Sequence, residues 1–122
     1  MKLVKGLGGL PMDNKKKLAL AKEAQRRKKL ADYEENFELF SKEQIKILTK
    51  DSSKGFVPFE FNDAQKIVNE KIAKQLKETG RVRAIILKGR QMGLSTFTTA
   101  RVFWKSYFNA YNKSVVMAHD SA

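Results

Sequence analysis

The sequence predicts an α/β protein in which one βαβ unit follows a basic helical arm. The first observation is a continuously aliphatic run, "RVRAIILK" (residues 81–88), which is typical of a strand buried on both faces. The second is the order that follows it, namely a glycine-bearing loop, a helix over residues 95–111 and a second aliphatic run at 115–118. The third is the concentration of positive charge before residue 32. A strand, a helix and a second strand in this order form a βαβ unit, whose crossover is almost always right-handed.

The basic arm is predicted to be one long helix that begins at Asp13, a good N-cap residue. "DNKKKLALAKEAQRRKKLADYEENF" is rich in Ala, Lys, Glu and Leu, which favour helices, but its apolar stripe is weak. A polar stretch around residues 49–55 predicts a loop. We therefore divide the chain into a helical arm with its linker (1–50) and the first portion of an α/β domain (51–122).

The α/β domain is predicted to begin with a helix that has clear signals at both ends. Asn62 is a good N-cap, and Gln65, three residues later, completes a capping box. Apolar residues recur at helical spacing between residues 64 and 76, and Gly80 is a typical helix-ending residue.

The charge distribution points to a polyanionic partner. The 122 residues carry a net charge of +12; residues 1–31 hold 10 Lys and Arg against 2 Asp and Glu, whereas residues 32–122 hold 15 against 11. Such clustering favours nucleic-acid binding through phosphate neutralisation, although a solvated helix kept soluble by its lysines is an equal alternative. The candidate nucleic-acid-binding residues are Lys15, Lys16, Lys17, Lys22, Arg26, Arg27, Lys28 and Lys29.

Composition also excludes several classes of protein. There is no Cys and only one His, which rules out disulfide scaffolds and Cys-based or His-rich metal sites. The aliphatic runs are far shorter than the roughly 20 residues needed to span a bilayer. We therefore expect a cytoplasmic protein with no membrane partner.

The most specific sequence feature is "KGRQMGLST", residues 88–96, hereafter the 88–96 segment. It lies between a predicted strand and a predicted helix, as a phosphate-binding loop does, but the pattern G-x-x-x-x-G-K-[ST] would require Gly at position 88 and Lys at position 94. The chain has Lys88 and Leu94 there. A helix N-terminus attracts phosphate, Gly93 allows close backbone approach, and the Ser95 hydroxyl is a candidate Mg²⁺ ligand with Thr96 as a substitute. The alternative is a tight turn in which the glycines only relieve strain.

The 88–96 segment resembles the variant Walker A region of the large terminase subunits of tailed bacteriophages and prophages. Their signature, K-x-R-Q-x-G-x-S-T between a strand and a helix, is matched here, with the phosphate lysine at the front of the loop as Lys88. "FEFNDAQKIV" and "SVVMAHDSA" are similar to the flanking family segments, so the resemblance covers roughly residues 55–122. It implies an incomplete P-loop NTPase fold of the RecA-like (ASCE) type that binds ATP and Mg²⁺.

The resemblance implies roles for individual residues. Gln65 would contact adenine, although the capping box with Asn62 is an alternative use of its side chain. Arg90 would be the catalytic residue that senses or stabilises the γ-phosphate, or alternatively pairs with a carboxylate. The full set of candidate nucleotide-binding residues is Gln65, Lys88, Gly89, Arg90, Gln91, Met92, Gly93, Leu94, Ser95 and Thr96. Ser95 would also be a ligand of the Mg²⁺ ion.

The resemblance further implies a place in an ATP-driven motor that packages viral DNA in the bacterial cytoplasm. Double-stranded DNA, the portal protein and the small terminase subunit would be partners, and the motor would be a ring. We interpret Asp120 and His119 as loop residues, and expect the chain to stop before the Walker B strand, the catalytic carboxylate and the nuclease domain. Whether this chain is itself an enzyme therefore stays open. The alternatives are a helicase-like ATPase fragment, which Leu94 disfavours, and a basic nucleic-acid-binding module.

Overall fold

The structure, a computed structural model, describes residues 13–51 and 53–117 and divides the chain into two compact units between Glu35 and Asn36. The described residues are mostly helical with one small sheet. Among these helices, none is both long and apolar enough to cross a membrane. In chain order the elements are α1 (Asn14–Glu35), α2 (Phe37–Gln44), β1 (Lys46–Leu48), β2 (Phe56–Pro58), α3 (Asp63–Thr79) and α4 (Leu94–Phe108).

The first unit is represented by α1, which begins where the sequence predicts. The carbonyl of Asp13 accepts the N–H groups of Lys16 and Lys17 at 2.8 and 3.1 Å. The helix is exposed along most of its length, including Leu18 and Leu20. Its stability therefore depends on the helix propensity of its Ala, Lys and Glu residues more than on an apolar face.

The helix predicted over residues 13–37 ends at Glu35, and a separate helix, α2, begins at Phe37. Asn36 has an extended backbone (φ −125°, ψ 97°), and its Oδ1 accepts a hydrogen bond from Leu39 N at 3.1 Å. It is therefore the N-cap of α2. Asn is among the residues that favour this position because its short amide competes with helical hydrogen bonding.

The sheet is an antiparallel hairpin and not the predicted parallel pair. Ile47 pairs with Val57 at its centre, and the predicted polar loop at 49–55 is the connection. Asp51 shapes this turn by accepting hydrogen bonds from the N–H and the hydroxyl of Ser53. These bonds lower the pKa of the Asp51 carboxyl.

The strands predicted at 81–88 and 115–118 are not formed in the described residues. Residues 82–89 and 112–117 have no regular structure, and the side chains of Ile85, Leu87 and Met117 are at least 90% exposed. A parallel strand requires a hydrogen-bonded neighbour, and no described segment pairs with either run. Ala118 lies outside the described residues. The mixed helix and sheet content is confirmed, whereas the βαβ unit predicted for the described part of the chain was wrong.

The side chain of Gln75 takes the place of a strand partner for the segment 82–89. The Gln75 amide donates from Nε2 to the carbonyl of Arg83 and accepts the Arg83 N–H at Oε1, both at 3.1 Å. A primary amide presents the same donor and acceptor pair as a peptide group. Among the described residues this is the only hydrogen-bond partner of the backbone of residues 82–87, and Ile85 and Leu87 remain almost fully exposed.

The core of the second unit is aromatic. Phe37 of α2, Phe59 and Phe61 before α3, and Phe97 of α4 are each at most 7% exposed. Ring centroids lie 5.1 Å apart for Phe61 and Phe97 and 5.2 Å apart for Phe37 and Phe61, in tilted or edge-on geometry. Such pairs are favourable beyond their buried area. The cluster holds the beginning of α4 against the beginning of α3, and this arrangement positions the 88–96 segment.

Candidate functional site

The predicted capping box at the start of α3 is present with both of its hydrogen bonds. Asn62 Oδ1 accepts from Gln65 N, and Gln65 Oε1 accepts from Asn62 N, each at 2.9 Å. The helix ends as predicted at Gly80, which has φ 71° and whose N–H donates to Leu76 O. Because these signals are local, the sequence predicts both ends of α3.

The same two side chains also bind the 88–96 segment, which the sequence does not reveal. Asn62 Nδ2 donates to Met92 O at 3.1 Å, and Gln65 Nε2 donates to Gly93 O at 2.9 Å. We call these two contacts the amide clamp. Gln65 is only 3% exposed. The clamp satisfies two consecutive loop carbonyls and holds the loop against the first turn of α3.

Gly93 is required at its position for two independent reasons. Its backbone is left-handed (φ 69°, ψ 12°), a conformation that strains residues with a Cβ. A Cβ there would also lie 2.8 Å from Gln65 Nε2. Gln91 has a left-handed backbone too (φ 61°), so two such residues flank Met92. Backbones of this alternating kind can turn successive N–H groups to one side and make an anion-binding concavity.

The first turn of α4 has unpaired hydrogen-bond donors. Gly93 is its N-cap and supplies no side-chain acceptor, and of the first N–H groups only that of Phe97 bonds to Gly93 O, at 3.0 Å. The N–H groups of Leu94, Ser95 and Thr96 have no acceptor within the described residues. These groups are the positive end of the helix dipole.

Two hydroxyls and two cations accompany those donors. The side chains of Ser95 and Thr96 are exposed and make no hydrogen bond to described residues, whereas Thr99, one turn later, donates to Ser95 O at 3.0 Å. Lys88 and Arg90 are exposed, and neither pairs with a carboxylate in the described part of the chain. Arg90 therefore has no ion pair of the kind that its alternative interpretation requires.

A groove of about 680 Å³, the β1–α4 groove, runs beside these hydroxyls. Ile45 and Ile47 form its apolar wall and Phe103 its far end, while Ser95 and Thr96 form the wall that continues into the 88–96 segment. The volume lies within the range of small-molecule sites. A nucleotide with its phosphates at the start of α4 would have space there for part of its body.

The structure brings the predicted nucleotide-binding residues into one place but gives Gln65 an internal role. The 88–96 segment and Gln65 are in direct contact, yet both ends of the Gln65 amide are engaged in the capping box and the amide clamp. Contact with adenine would require this side chain to exchange partners. Among described residues no group of three or more His, Asp or Glu side chains could hold a metal. Asp120 and His119 lie outside the described residues.

The candidate nucleic-acid-binding residues all lie in α1 and are all exposed. At 100° per residue, half of them share a sector about 60° wide that extends for about 21 Å along the helix. We call this set the basic stripe; its members are Lys15, Lys22, Arg26 and Lys29. Lys29 also lies over the ring of Tyr33, 5.7 Å from its centroid, and Arg27, outside the stripe, pairs with Glu23.

Two long-range contacts had no signal in the sequence. One is the second use of Asn62, whose contact with Met92 spans 30 residues. The other is Arg101, which lies inside a predicted helix and is bound by Asn69. The capping box identifies Asn62 only as a helix cap, and no local pattern identifies Arg101.

Comparison of the chain with protein-family models gives no match. Comparison with curated proteins and with solved structures likewise gives no match.

Proposed function

We propose that the 88–96 segment binds the phosphates of a nucleoside triphosphate together with Mg²⁺. The observation that carries this proposal is the concentration of unsatisfied groups at one helix end. Three N–H donors, two exposed hydroxyls and two exposed cations fall within nine consecutive residues. A helix N-terminus of this composition favours a phosphate group through its donors and its dipole.

Each residue of the segment then has a defined role. Gly93 lets the backbone come close to the phosphates, and the N–H groups of α4 hold their oxygens. Ser95 is the Mg²⁺ ligand, with Thr96 beside it. Lys88 neutralises the β- and γ-phosphates from the front of the loop, and Arg90 adds charge at the γ-phosphate, where a cation contributes strongly to phosphoryl transfer.

The amide clamp supports this proposal by orienting the loop. Because Asn62 and Gln65 bind the carbonyls of Met92 and Gly93, the oxygens that would repel a phosphate are held towards α3. In this arrangement Gln65 acts as a positioning residue. Its contact with adenine, which the resemblance implies, is retained as the alternative that requires a change of side-chain partner.

The resemblance gives the proposal its biological form, the N-terminal part of a terminase large subunit. In that family the ATPase domain has the P-loop NTPase fold, and the loop follows a parallel strand. The exposed 82–87 segment departs from this pattern. DNA, portal protein, small terminase subunit, ring assembly and a cytoplasmic site of action belong to this proposal and follow from the matched motif alone.

A second candidate function is binding of nucleic acid by α1. The observation that favours it is the basic stripe, which aligns four cations on one side of a helix with no acidic residue among them. Cations spaced along about 21 Å can contact several phosphates of a duplex. This function requires neither nucleotide nor Mg²⁺.

Calorimetric titration of Mg-ATP into the folded chain tests the first proposal. We expect Lys88→Ala and Ser95→Ala each to weaken binding about tenfold or more, since a hydrogen bond to a charged group contributes about 1.5–3 kcal/mol. Lys77→Ala is the matched control for charge. Thr99→Val is the matched control for the groove, because its hydroxyl is already bonded to Ser95 O.

Equal weakening by Lys77→Ala would assign binding to overall charge, and equal weakening by Thr99→Val would assign the loss to a general disturbance of the groove. No heat of binding from a chain with intact far-UV circular dichroism would contradict the proposal.

A further inference from the structure

Arg101 is a half-buried cation without an anionic partner among the described residues. It lies on α4, on the side opposite the β1–α4 groove, and its Nη1 donates to Asn69 Oδ1 of α3 at 2.6 Å. Its guanidinium carbon is 5.3 Å from the ring centroid of Phe37 and 5.6 Å from that of Trp104. No carboxylate among the described residues pairs with it.

These contacts compensate only part of the cost of burying the charge. Arginine has five N–H donors, and one of them has an acceptor within residues 13–51 and 53–117. The aromatic faces stabilise the cation but accept no conventional hydrogen bond. Burial lowers the pKa of Arg101, which reflects the unfavourable environment of its charge. The guanidinium is therefore held in place by Asn69 and two rings with most of its donors unused.

Arg101 lines a cavity of about 390 Å³, which we call the α3–α4 cleft. Along α4 the lining extends from Phe97 to Asn109, about 18 Å at the helical rise of 1.5 Å per residue. Ile72, Leu76 and Val82 make the opposite wall apolar. Lys105, one turn after Arg101, is a second cation, and no acidic residue lines the cleft.

We infer that the α3–α4 cleft binds an acidic apolar peptide segment of a protein partner. A carboxylate of that segment would take the unused donors of Arg101 as a bidentate pair, with Lys105 adding charge. The flanking apolar side chains would occupy the wall formed by Ile72, Leu76 and Val82. This site shares no lining residue with the β1–α4 groove, so the inference is independent of nucleotide binding.

The dimensions and chemistry of the cleft favour a peptide over other anions. About 18 Å matches roughly five residues of extended chain, which is more than a small organic acid fills. Trp and Arg side by side are typical of the residues that dominate protein–protein binding energy. A phosphate backbone would leave the apolar wall uncovered, whereas alternating acidic and apolar residues match both properties.

Trp104 makes the inference directly measurable. It is the single tryptophan of the chain and lines the cleft, so its fluorescence reports occupancy. The probe is the peptide Ac-LEFEL-NH₂, and its neutral isostere Ac-LQFQL-NH₂ is the control ligand. We expect saturable quenching or a shift of emission with the acidic peptide only, and weakening by about tenfold or more in Arg101→Gln.

Further variants distinguish the contribution of the Arg101 guanidinium from the effect of positive charge alone and from loss of folding. Arg101→Lys keeps the charge but loses the bidentate geometry, and we expect intermediate affinity. Arg83→Gln removes an exposed arginine outside the cleft and should leave affinity unchanged. If Arg101→Gln alters the far-UV circular dichroism, Lys105→Gln replaces it, with an expected weakening of severalfold.

Several outcomes would overturn the inference. Equal binding of the neutral peptide would mean that apolar contact alone drives the signal. A response to 4-phenylbutyrate without any response to the peptide would make the cleft a small-acid site. A Trp104 response to an oligodeoxythymidine but not to the peptide would assign it to nucleic acid.

Discussion

At the scale of single residues, the packing of Gln65 requires a glycine at position 93. The Gln65 amide occupies the space that a Cβ on residue 93 would need, and it bonds to the carbonyl of the same residue. In the sequence motif, the glycine at position 93 is explained by the need for the backbone to come close to a phosphate. The structure adds a requirement that applies even without ligand, because the loop is packed against a buried side chain.

Gly93→Ala should therefore destabilise the protein more than Gly80→Ala. Both glycines have left-handed backbones, at φ 69° and 71°, but a Cβ at Gly80 meets nothing within 4 Å. The conformational cost of about 1–2 kcal/mol applies to both variants. Displacement of Gln65 should add about 1 kcal/mol or more for Gly93→Ala. Urea denaturation at equal m-values measures the difference, and equal losses would show that the amide clamp contributes nothing to stability.

At the scale of elements, α3 and α4 form helices, whereas residues 82–87 form no strand because no described strand lies beside them. Both ends of α3 have the caps that its sequence predicts, whereas α4 begins close to its predicted start and ends at Phe108, three residues before the predicted end at 111. The aliphatic run lacks a neighbouring strand, and its only backbone partner among the described residues is the Gln75 amide. Hydrophobicity alone cannot create a strand, because a strand satisfies its backbone groups only by pairing.

Polar substitution in this run distinguishes the observed structure from the predicted strand. Ile85 and Leu87 are 95% and 97% exposed, so Ile85→Ser and Leu87→Ser should change the free energy of unfolding by less than about 0.5 kcal/mol. A buried strand would instead lose about 2–5 kcal/mol at each position. Phe97→Ala is the positive control, since this side chain is 1% exposed and should cost about 3–5 kcal/mol. A large loss in the free energy of unfolding for either variant, measured by chemical denaturation, would indicate that the run is a buried strand.

At the scale of the whole molecule, charge is distributed unevenly along the chain. The net charge of +12 comes mainly from the first 31 residues, and in α1 half of the candidate DNA-binding cations form the basic stripe. Long-range attraction depends on total charge, whereas contact with a duplex depends on which cations share a face. These two contributions can be separated by substituting equal numbers of charges on different faces.

Replacing the four residues of the basic stripe with Gln should weaken duplex binding more than replacing the other four, Lys16, Lys17, Arg27 and Lys28. If four phosphates are neutralised, affinity should fall about a hundredfold between 50 and 200 mM salt. Only the stripe variant should lose this salt dependence. Fluorescence anisotropy of a labelled 20-base-pair duplex measures both quantities. Identical behaviour of the two variants would show that α1 attracts DNA through its total charge and not through the basic stripe.

The sequence by itself determined the features that depend on contacts within about four residues. The N-cap at Asn62, the capping box with Gln65, the end of α3 at Gly80 and the beginning of α4 after Gly93 are all of this kind. It also determined the basic character of α1 and located the 88–96 segment. Helix caps and charge patterns have this property because their energies come from near neighbours.

Only the tertiary structure decided which distant groups meet. The amide clamp joins residues 28 and 30 positions apart, and Arg101 meets Asn69 across 32 positions. The aliphatic run at 82–87 was expected to be a strand, but strand formation depends on partners that a local pattern cannot specify. Contacts of this kind are determined by packing of the aromatic core, which brings the beginnings of α3 and α4 together. The predicted loop therefore acquires its shape from residues outside its own motif.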